Sequence, residues 1–254
     1  MNSLLSIKDL TVAVGDKGLV NQVSFDVPQG KIVAIAGGSG SGKTTIGLSI
    51  LRLIPSALQI RKGSIIFEGR DLLKVSDKEM QNCRGARIGM VFQEPLSALD
   101  PLFTVGQQID EVLVAHTALS KEERYKKILD TFAEVELSDP LRAYKSFPHQ
   151  LSGGMRQRAM VAQAMVCGPS LIIADEPTSS LDVTLQIKIM ELFGRLKKKN
   201  MSILLIAHDL GMISHVADEV IILRQGDIVE KGTVAKVISQ PRHEYTKQLV
   251  EAFQ

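Results

Sequence analysis

The chain has 254 residues, of which 44% are hydrophobic, and it carries 30 basic and 28 acidic side chains for a net charge of +2. A chain of this size can bury a sizeable core, either as one large domain or as a domain with an inserted lobe. The near-neutral charge, the absence of Trp and an aromatic content of 4% argue against a protein that binds nucleic acid through bulk positive charge or base stacking.

Cysteine usage and hydropathy indicate the compartment. Cys83 and Cys167 are the only cysteines, which is typical of half-buried thiols in a reducing environment rather than of a disulfide or a metal site. The N-terminal residues lack a basic segment followed by a long apolar core, and no apolar run approaches the ~18 residues that cross a bilayer. The sequence therefore predicts a cytosolic protein that reaches a membrane only through a partner.

The first third of the chain is dominated by strand signals. Residues 4–14 and 20–27 alternate between apolar and polar side chains and are rich in β-branched residues, which predicts two antiparallel strands joined by the turn 15–18. The apolar run 32–36 predicts a buried strand, followed by a helix from about 45 to 53. Further strands are predicted at 65–69 and 88–92.

The strand signal then disappears and later returns. Between residue 105 and about residue 150 the apolar residues follow helical spacing, as in 121–136, which predicts a helical lobe inserted into an α/β core. After the lobe, strands alternate with helices, which predicts a parallel sheet with right-handed crossovers. The predicted elements of this part are strands at 171–175, 203–207 and 220–223 and helices at 183–199 and 211–217.

The most specific motif is the glycine-rich segment Gly37-Gly38-Ser39-Gly40-Ser41-Gly42-Lys43-Thr44, which follows the strand 32–36 and leads into a helix. It matches the phosphate-binding pattern G-x-x-x-x-G-K-[ST] in the strand–turn–helix context that the pattern requires. Its glycines let successive backbone N–H groups point into one concavity at the positive end of the helix. Lys43 is expected to reach the β- and γ-phosphates, and the Thr44 hydroxyl to ligate Mg²⁺.

Two carboxylates lie at the end of the buried strand 171–175, of which one is its last residue and the other follows directly. Asp175 is expected to hold Mg²⁺, directly or through water. Glu176 is expected to point to the other side of the pleat, where it can polarise a water that attacks the γ-phosphate. The glycine-rich phosphate-binding segment upstream favours this catalytic interpretation.

A second segment, Leu151-Ser152-Gly153-Gly154-Met155, has a hydroxyl and two glycines before a helix predicted at 156–167. This pattern is typical of a phosphate site, but an N-cap with a flexible joint explains it equally well. Two anion sites in one chain indicate either two ligands or one ligand held by two chains.

Two more polar residues follow predicted strands. Gln93 comes directly after 88–92, and its amide can ligate Mg²⁺ or the attacking water. His208 comes directly after 203–207, where ligand-facing residues lie in open α/β sheets, and a neutral imidazole there can contact the γ-phosphate. Alone, each residue is explained as well by a solvated loop glutamine or a capping histidine.

The order of these segments resembles the nucleotide-binding cassette of ABC transporters over nearly the whole chain. The segments that correspond to the family's Walker A, Q-loop, signature, Walker B, D-loop and H-loop are Gly37–Thr44, Gln93, Leu151–Met155, Leu171–Glu176, Ser179-Ser180-Leu181-Asp182 and His208. The resemblance implies an α/β P-loop NTPase (RecA-like) core with an antiparallel β subdomain and an inserted α-helical subdomain. It implies one ATP-binding domain over 1–254, with the core and β subdomain in 1–92 and 168–254 and the helical subdomain in about 93–167.

The resemblance also implies the ligands and the residues that hold them. Two cassettes are expected to pair head to tail, with ATP between the P-loop of one and the signature of the other, which accounts for two anion sites. Glu176, His208 and Gln93 are the expected catalytic residues, and Thr44, Gln93 and Asp175 the expected Mg²⁺ ligands. The expected nucleotide-binding residues are Gly37, Gly38, Ser39, Gly40, Ser41, Gly42, Lys43, Thr44, Thr45, Val14, Ser152, Gly153, Gly154, Met155 and Asp182.

Three segments resemble the dipeptide, oligopeptide and nickel importer subfamily, namely Gln93–Pro101, Pro148–Arg158 with Met155 in place of the commoner Gln, and Pro241–Thr246. The resemblance implies a peripheral position at the cytoplasmic face of the cell membrane. The implied partners are two integral membrane permease subunits, an extracytoplasmic solute-binding protein that acts indirectly, and no nucleic acid. A related sister cassette is expected as the second protomer, and a copy of this chain is left open.

Three departures from the family pattern bear on specificity. Val14 takes the position where many cassettes stack adenine on an aromatic ring, so looser nucleotide selectivity is expected. Glu244 replaces the proline of the C-terminal motif. The sequence stops at Gln254 without the cysteine-bearing tail of many peptide importers, so nickel or a metal chelate is the expected solute, with a di- or oligopeptide as the alternative.

Other classes fit less well. Soluble ABC-type ATPases that act on DNA insert long coiled coils or zinc modules, and those that act on ribosomes carry two cassettes in one chain. A P-loop GTPase or small-molecule kinase would leave the signature segment unexplained, and no Asn-Lys-x-Asp base-reading motif is present.

Overall fold

The computed structural model describes residues 3–179 and 181–252, with Leu96 described by its backbone only. The chain forms two compact units. The first unit runs up to Gln81 and resumes at Phe193, and the second unit is Asn82–Leu192.

The strands, in chain order, are β1 (Ser3–Val14), β2 (Lys17–Pro28), β3 (Ile32–Ala36), β4 (Leu58–Phe67), β5 (Arg70–Asp71), β6 (Ile88–Val91), β7 (Leu171–Asp175), β8 (Ser202–Ala207), β9 (Glu219–Arg224) and β10 (Asp227–Thr233). The helices are α1 (Lys43–Ile50), α2 (Asp77–Cys83), α3 (Pro95–Ala98), α4 (Val105–His116), α5 (Lys121–Glu134), α6 (Pro140–Lys145), α7 (Gly153–Met165), α8 (Val183–Lys198), α9 (Leu210–Ser214), α10 (Val234–Ser239) and α11 (Glu244–Glu251). A single 3₁₀ turn, Pro148–Gln150, precedes α7.

The first unit contains an antiparallel sheet in the order β2-β1-β4-β5. The predicted N-terminal strands and their antiparallel pairing are confirmed, because β1 pairs with β2 from Ser3↔Pro28 to Val14↔Lys17. β1 and β2 alternate between buried and exposed residues over much of their length, since one face of this sheet packs on the core while the other faces water.

In the same unit, β3 lies between β8 and β9 and is parallel to both. β10 extends this group by pairing antiparallel with β9. All five residues of β3 and all six of β8 are buried, as expected for the centre of a parallel sheet. Because Ala36 pairs with Ala207, the segments that follow these two strands leave the sheet at the same edge.

In the second unit, β6 and β7 form a parallel pair in which Val91 is opposite Ala174. The helices α4, α5, α6 and α7 pack on one another, and α7 packs on β6. That contact is close, because a Cβ on Gly89 would lie 2.0 Å from the carbonyl oxygen of Ala164. The core here includes the fully buried Phe132 of α5.

Two helices of the second unit, α4 and α5, begin at capping boxes that a sequence can encode locally. Thr104 and Gln107 cap α4, and Ser120 and Glu123 cap α5 in the same reciprocal way. Backbone and side-chain hydrogen bonds from Ser120 lower the pKa of the Glu123 carboxyl.

The predicted helical subdomain, about 93–167, lies within the second unit, which also contains β6 and β7. The finer division into a core and a helical subdomain stays a prediction. In the part of the chain that the structure describes, no helix combines the length and apolar character needed to cross a membrane.

Candidate active site

The phosphate loop, Gly37–Thr44, connects β3 to α1 in the first unit and packs tightly against backbone. A Cβ on Gly37 would lie 2.1 Å from the carbonyl oxygen of Leu223. Gly42 has φ +103, and a Cβ there would lie 2.7 Å from the carbonyl oxygen of Leu19. Larger residues at these two positions would therefore collide with main-chain atoms or adopt a strained conformation.

The loop offers donors to an anion. Gly42 is the N-cap of α1 and provides no side-chain cap, so no capping side chain competes for the N–H groups of the first turn. The Ser41 side chain is buried, and its Oγ has no hydrogen-bond partner among the described residues. A buried hydroxyl without a partner is costly, and a phosphate oxygen would satisfy it. The loop therefore fits a phosphate chain.

Lys43 is 5% exposed, and its ammonium lies over the loop. Nζ donates hydrogen bonds to the carbonyl oxygens of Gly37 at 2.8 Å and Gly38 at 2.9 Å. The loop thus positions a buried positive charge beside its own concavity. Thr44 is exposed at the start of α1, and Thr45 is half-buried, with its carbonyl oxygen accepting a hydrogen bond from Ser49.

Two other predicted residues belong to the first unit. His208 directly follows Ala207, which pairs with Ala36, so His208 and Gly37 leave adjacent parallel strands at matching positions. Val14 is 38% exposed at the end of β1. The structure therefore brings the starting point of the phosphate loop and His208 to one sheet edge.

Gln93 and Glu176 meet in the second unit. The Gln93 Nε2 donates a hydrogen bond to the Glu176 Oε2 at 3.0 Å. The parallel pairing of β6 and β7 explains this contact, because the chain segments that leave the two strands emerge side by side.

Asp175 is the last residue of β7 and is 4% exposed. Glu176 lies beyond the strand with φ +44, which is uncommon for a residue other than glycine. The direction of the Glu176 carboxylate is therefore set by this left-handed turn. The predicted direction assumed that side chains continue to alternate along β7, but the strand ends at Asp175. Residues held in such conformations cluster at functional sites.

The segment 151–155 begins α7 three residues earlier than predicted, since the helix starts at Gly153. The Ser152 side chain accepts a hydrogen bond from the Met155 N–H at 3.3 Å, so it caps this helix. A Cβ on Gly154 would contact Leu185 at 3.0 Å, and one on Gly153 would contact Leu181 at 3.8 Å. The capping interpretation is therefore correct, and the phosphate-binding interpretation stays a prediction.

The predicted D-loop lies between β7 and α8. Asp182 Oδ1 accepts a hydrogen bond from the Leu185 N–H at 3.0 Å, and Gln186 Nε2 donates to the carbonyl oxygens of Thr178 and Leu181. Asp182 therefore caps the start of α8. Ser180 lies outside the described residues.

Tyr245 is a contact of the phosphate loop for which the sequence predicted no role. Its hydroxyl oxygen accepts a hydrogen bond from the Gly38 N–H at 2.7 Å. The only available signal was its membership of the C-terminal motif 241–246, because 207 positions separate the two residues.

Comparisons with known proteins identify the fold and the family. The family model described as ABC transporter matches residues 20–179. The chain belongs to the ABC transporter family. The cassette is 29% identical to the solved structure described as "Dimeric structure of a post-hydrolysis state of the ATP-binding cassette MJ0796 bound to ADP and Pi", with a TM-score of 0.80 over 91% of this chain and 98% of that one. The CbiO1 structure from Clostridium perfringens has a TM-score of 0.83 over 94% of this chain and 92% of that chain, and its 24% identity supports the fold alone.

Two curated relatives of the cassette are named as peptide transport proteins. The cassette is 45% identical to the oligopeptide transport ATP-binding protein OppD of Bacillus subtilis over 96% of this chain and 70% of that protein. It is 41% identical to the dipeptide transport ATP-binding protein DppD of Escherichia coli over 98% of this chain and 78% of that protein. The predicted cassette fold is confirmed, and the chain is an ATP-binding cassette with ATPase activity.

Proposed function

We propose that this cassette hydrolyses ATP to power the import of dipeptides or oligopeptides through a membrane transporter. The proposal of ATP hydrolysis depends on one observation, the hydrogen bond from the Gln93 amide to Glu176. Glu176 directly follows the buried Asp175. The peptide names of the relatives at 41–45% identity support the solute class. Peptides therefore replace nickel or a metal chelate as the proposed solute. The expectation of nickel depended on where the sequence ends, and the cassette itself does not touch the solute.

The phosphate loop binds the phosphate chain of ATP through the donors described above. The Lys43 ammonium, buried beside the loop, exchanges its carbonyl contacts for the β- and γ-phosphate oxygens. The Ser41 hydroxyl gains an acceptor, which it does not have among the described residues.

Oxygen-rich side chains suit a hard divalent cation. The buried Asp175 carboxylate, the Gln93 amide and the Thr44 hydroxyl would hold Mg²⁺, which neutralises charge on the phosphates when bound.

Glu176 acts as the general base that takes a proton from the attacking water. The Gln93 amide orients the Glu176 carboxylate by donating a hydrogen bond to one of its oxygens. His208, at the edge where β3 and β8 end, contacts the γ-phosphate and helps to orient the same water.

The other partners follow from the family. A second cassette, a sister or a copy of this chain, pairs head to tail so that its 152–155 segment faces the γ-phosphate, and the dimeric state of the MJ0796 cassette supports the pairing of two protomers. Two permease subunits place the pair at the cytoplasmic face of the membrane, and an extracytoplasmic binding protein delivers the solute. Closure of the cassettes around ATP then drives the permease between inward- and outward-facing states.

The hydrolytic proposal is tested with two variants and matched controls. Glu176→Gln should keep ATP affinity and lower kcat at least ~100-fold, the scale of a lost general base. Lys43→Ala should lose measurable ATP binding. Glu191→Gln and Lys198→Ala, both exposed on α8, should match the wild type. Normal turnover in Glu176→Gln would refute the assignment of the base, and unchanged ATP affinity in Lys43→Ala would refute the role of the loop.

The solute is tested in the intact transporter with its binding protein, reconstituted in lipid. Dipeptides or oligopeptides should raise the ATPase rate above the basal value, while nickel and nickel chelates should not. Stimulation by nickel chelates alone would overturn the peptide proposal and leave the hydrolytic one intact.

A further inference from the structure

The C-terminal motif Pro241–Thr246 lies against the phosphate loop, although neither the composition nor the P-loop pattern accounts for it. Its tyrosine hydroxyl accepts the Gly38 N–H at 2.7 Å. A Cβ on Gly38 would lie 3.2 Å from the same oxygen, so the tyrosine and the loop are in close contact.

The position of Tyr245 is determined by its neighbours in the first unit. Glu230, on β10, accepts hydrogen bonds from the backbone N–H groups of Arg242 at 3.0 Å and His243 at 3.0 Å. His243 Nδ1 then accepts from the Tyr245 N–H at 3.1 Å and caps α11. The tyrosine therefore stands at the first turn of a helix whose start is anchored to β10.

The ring of Tyr245 is held as well as its backbone. The guanidinium of Arg224, the last residue of β9, lies 5.0 Å from the ring centroid, within the range of a cation–π contact. Arg224 directly follows Leu223, whose carbonyl oxygen packs against Gly37. One strand end thus supports both the glycine that begins the loop and the tyrosine that binds the next residue.

The carboxylate of Glu230 stays ionised over a wide pH range. Burial by itself raises the pKa of Glu230, but hydrogen bonds, including those from the His243 and Arg242 N–H groups, outweigh burial and hold this pKa below its ordinary value. The anchor is therefore in place at the pH at which an ATPase is assayed.

We propose that Tyr245 is a positioning residue of the nucleotide site, which fixes the Gly37–Gly38 turn of the phosphate loop through its hydroxyl, with Glu230 holding the tyrosine in place. The inference rests on the proposed nucleotide-binding role of the loop. Tyr245 acts through the loop and makes no contact with the reacting atoms. The Gly38 N–H is directed at the tyrosine, so it is not available to a phosphate chain while that hydrogen bond is in place.

The test is Tyr245→Phe, which removes the hydroxyl and keeps the ring on Arg224. The Kd for ATP, measured by displacement of a fluorescent ATP analogue from the full chain, should rise about threefold to tenfold, the effect of losing one hydrogen bond. Amide hydrogen exchange in a peptide covering 37–42 should become faster, while the melting temperature of the nucleotide-free protein falls by no more than about 4 °C, since one hydrogen bond is lost and the ring packing is retained. The control Tyr125→Phe removes a hydroxyl from the second unit and should change none of these values.

A second variant separates positioning from a general loss of stability. Glu230→Ala should reproduce the higher Kd, and Tyr245→Phe added to it should have a smaller effect than in the wild type, because the two residues act through one contact. If Glu230→Ala does not fold, Glu230→Gln serves in its place, with the same direction of effect and a smaller rise in Kd, because the Gln side chain keeps one acceptor oxygen.

The outcomes distinguish this inference from the proposed function. If Lys43→Ala loses ATP binding while Tyr245→Phe keeps the wild-type Kd and exchange rate, the positioning role is wrong and the nucleotide site stands. A lower melting temperature of Tyr245→Phe with an unchanged Kd would also show that the positioning role is wrong and that the nucleotide site stands. If the wild type binds no ATP, the proposed function itself fails.

Discussion

The phosphate loop of the first unit is formed by main-chain atoms, whereas the Gln93–Glu176 pair of the second unit is formed by side chains. The loop is a backbone structure in which main-chain oxygens would lie 2.1 Å from a Cβ on Gly37 and 2.7 Å from one on Gly42. The pair consists of two side chains that meet at 3.0 Å beyond the ends of parallel strands. A backbone site is damaged by added atoms whatever their chemistry, whereas a side-chain site is damaged by a change of functional group.

The largest effect on the backbone site is expected for Gly37→Ala. The added methyl group would overlap the Leu223 carbonyl oxygen, and because overpacking costs roughly 1–3 kcal/mol, ATP affinity should fall by about fivefold to 150-fold. Isothermal titration with ATP measures the change, and a thermal melt shows whether the variant is folded.

Gly40→Ala is the matched control for this loop. Gly40 has φ +73, but nothing lies within 4 Å of a Cβ placed there. Its only expected cost is about 1 kcal/mol of backbone strain, which corresponds to about a fivefold loss of affinity. Equal losses in the two variants would show that backbone strain, rather than close approach, limits the loop.

The side-chain site should respond in rate rather than in binding. Gln93→Ala removes the donor to Glu176, and a hydrogen bond to a charged group in this half-exposed setting predicts a kcat about tenfold lower. ATP affinity without magnesium should stay within about twofold, since the phosphate loop is untouched. Steady-state kinetics and equilibrium binding together measure the two quantities.

Gln163→Ala, on α7 in the same unit, is the control for this prediction and should leave kcat unchanged. A Gln93→Ala variant with normal kcat would mean that the amide does not orient the carboxylate. A large loss of magnesium-free ATP affinity would mean that the two sites are not separable in this way.

The smallest effect concerns stability at the opposite end of β3 from the loop. Asp218 accepts a hydrogen bond from the Ile32 N–H at 2.9 Å and pairs with Lys31 at 3.1 Å and Lys197 at 3.3 Å. Asp218→Asn should lower the free energy of unfolding by about 1 kcal/mol at neutral pH, a modest value because exposed ion pairs are screened. ATP affinity should not change.

The pH dependence of this effect has a definite sign. Burial alone raises the pKa of Asp218, but the Ile32 hydrogen bond and the two lysines outweigh it and lower this pKa from its ordinary value of 3.8. The unfolded chain then takes up the proton more readily than the folded chain, so the stabilisation is present above that value and is lost as the pH falls through the lower folded pKa.

Urea denaturation at pH 7 and at several values below 4 should therefore show the difference between Asp218→Asn and the wild type becoming smaller at low pH. Asp16→Asn, in the exposed turn between β1 and β2, should match the wild type throughout. A difference that grows as the pH falls would contradict the assignment of the charged carboxylate as the stabilising form.

Local patterns predicted most of the elements and failed in identifiable places. The buried strands β3, β7 and β8 appear at the predicted residues or within one or two of them because continuous apolar runs flanked by polar residues specify them. The strand β10 and the helices α10 and α11 were not predicted, since β10 has no buried residue and the two helices are short. β4 begins seven residues earlier than expected, because its first half pairs with β1 while staying largely exposed.

The sequence by itself determined the parts of the site that depend on neighbouring residues: the glycine-rich loop between a strand and a helix, the caps of α4, α5 and α7, and the carboxylates at the end of β7. Only the tertiary structure decided that Gln93 binds Glu176, that Glu176 turns with φ +44, and that Tyr245 reaches Gly38. These contacts join residues 83 and 207 positions apart, or depend on a strained backbone conformation that the surrounding packing holds in place. Strand pairing and helix anchoring create such contacts, and neither is encoded in a short stretch of chain.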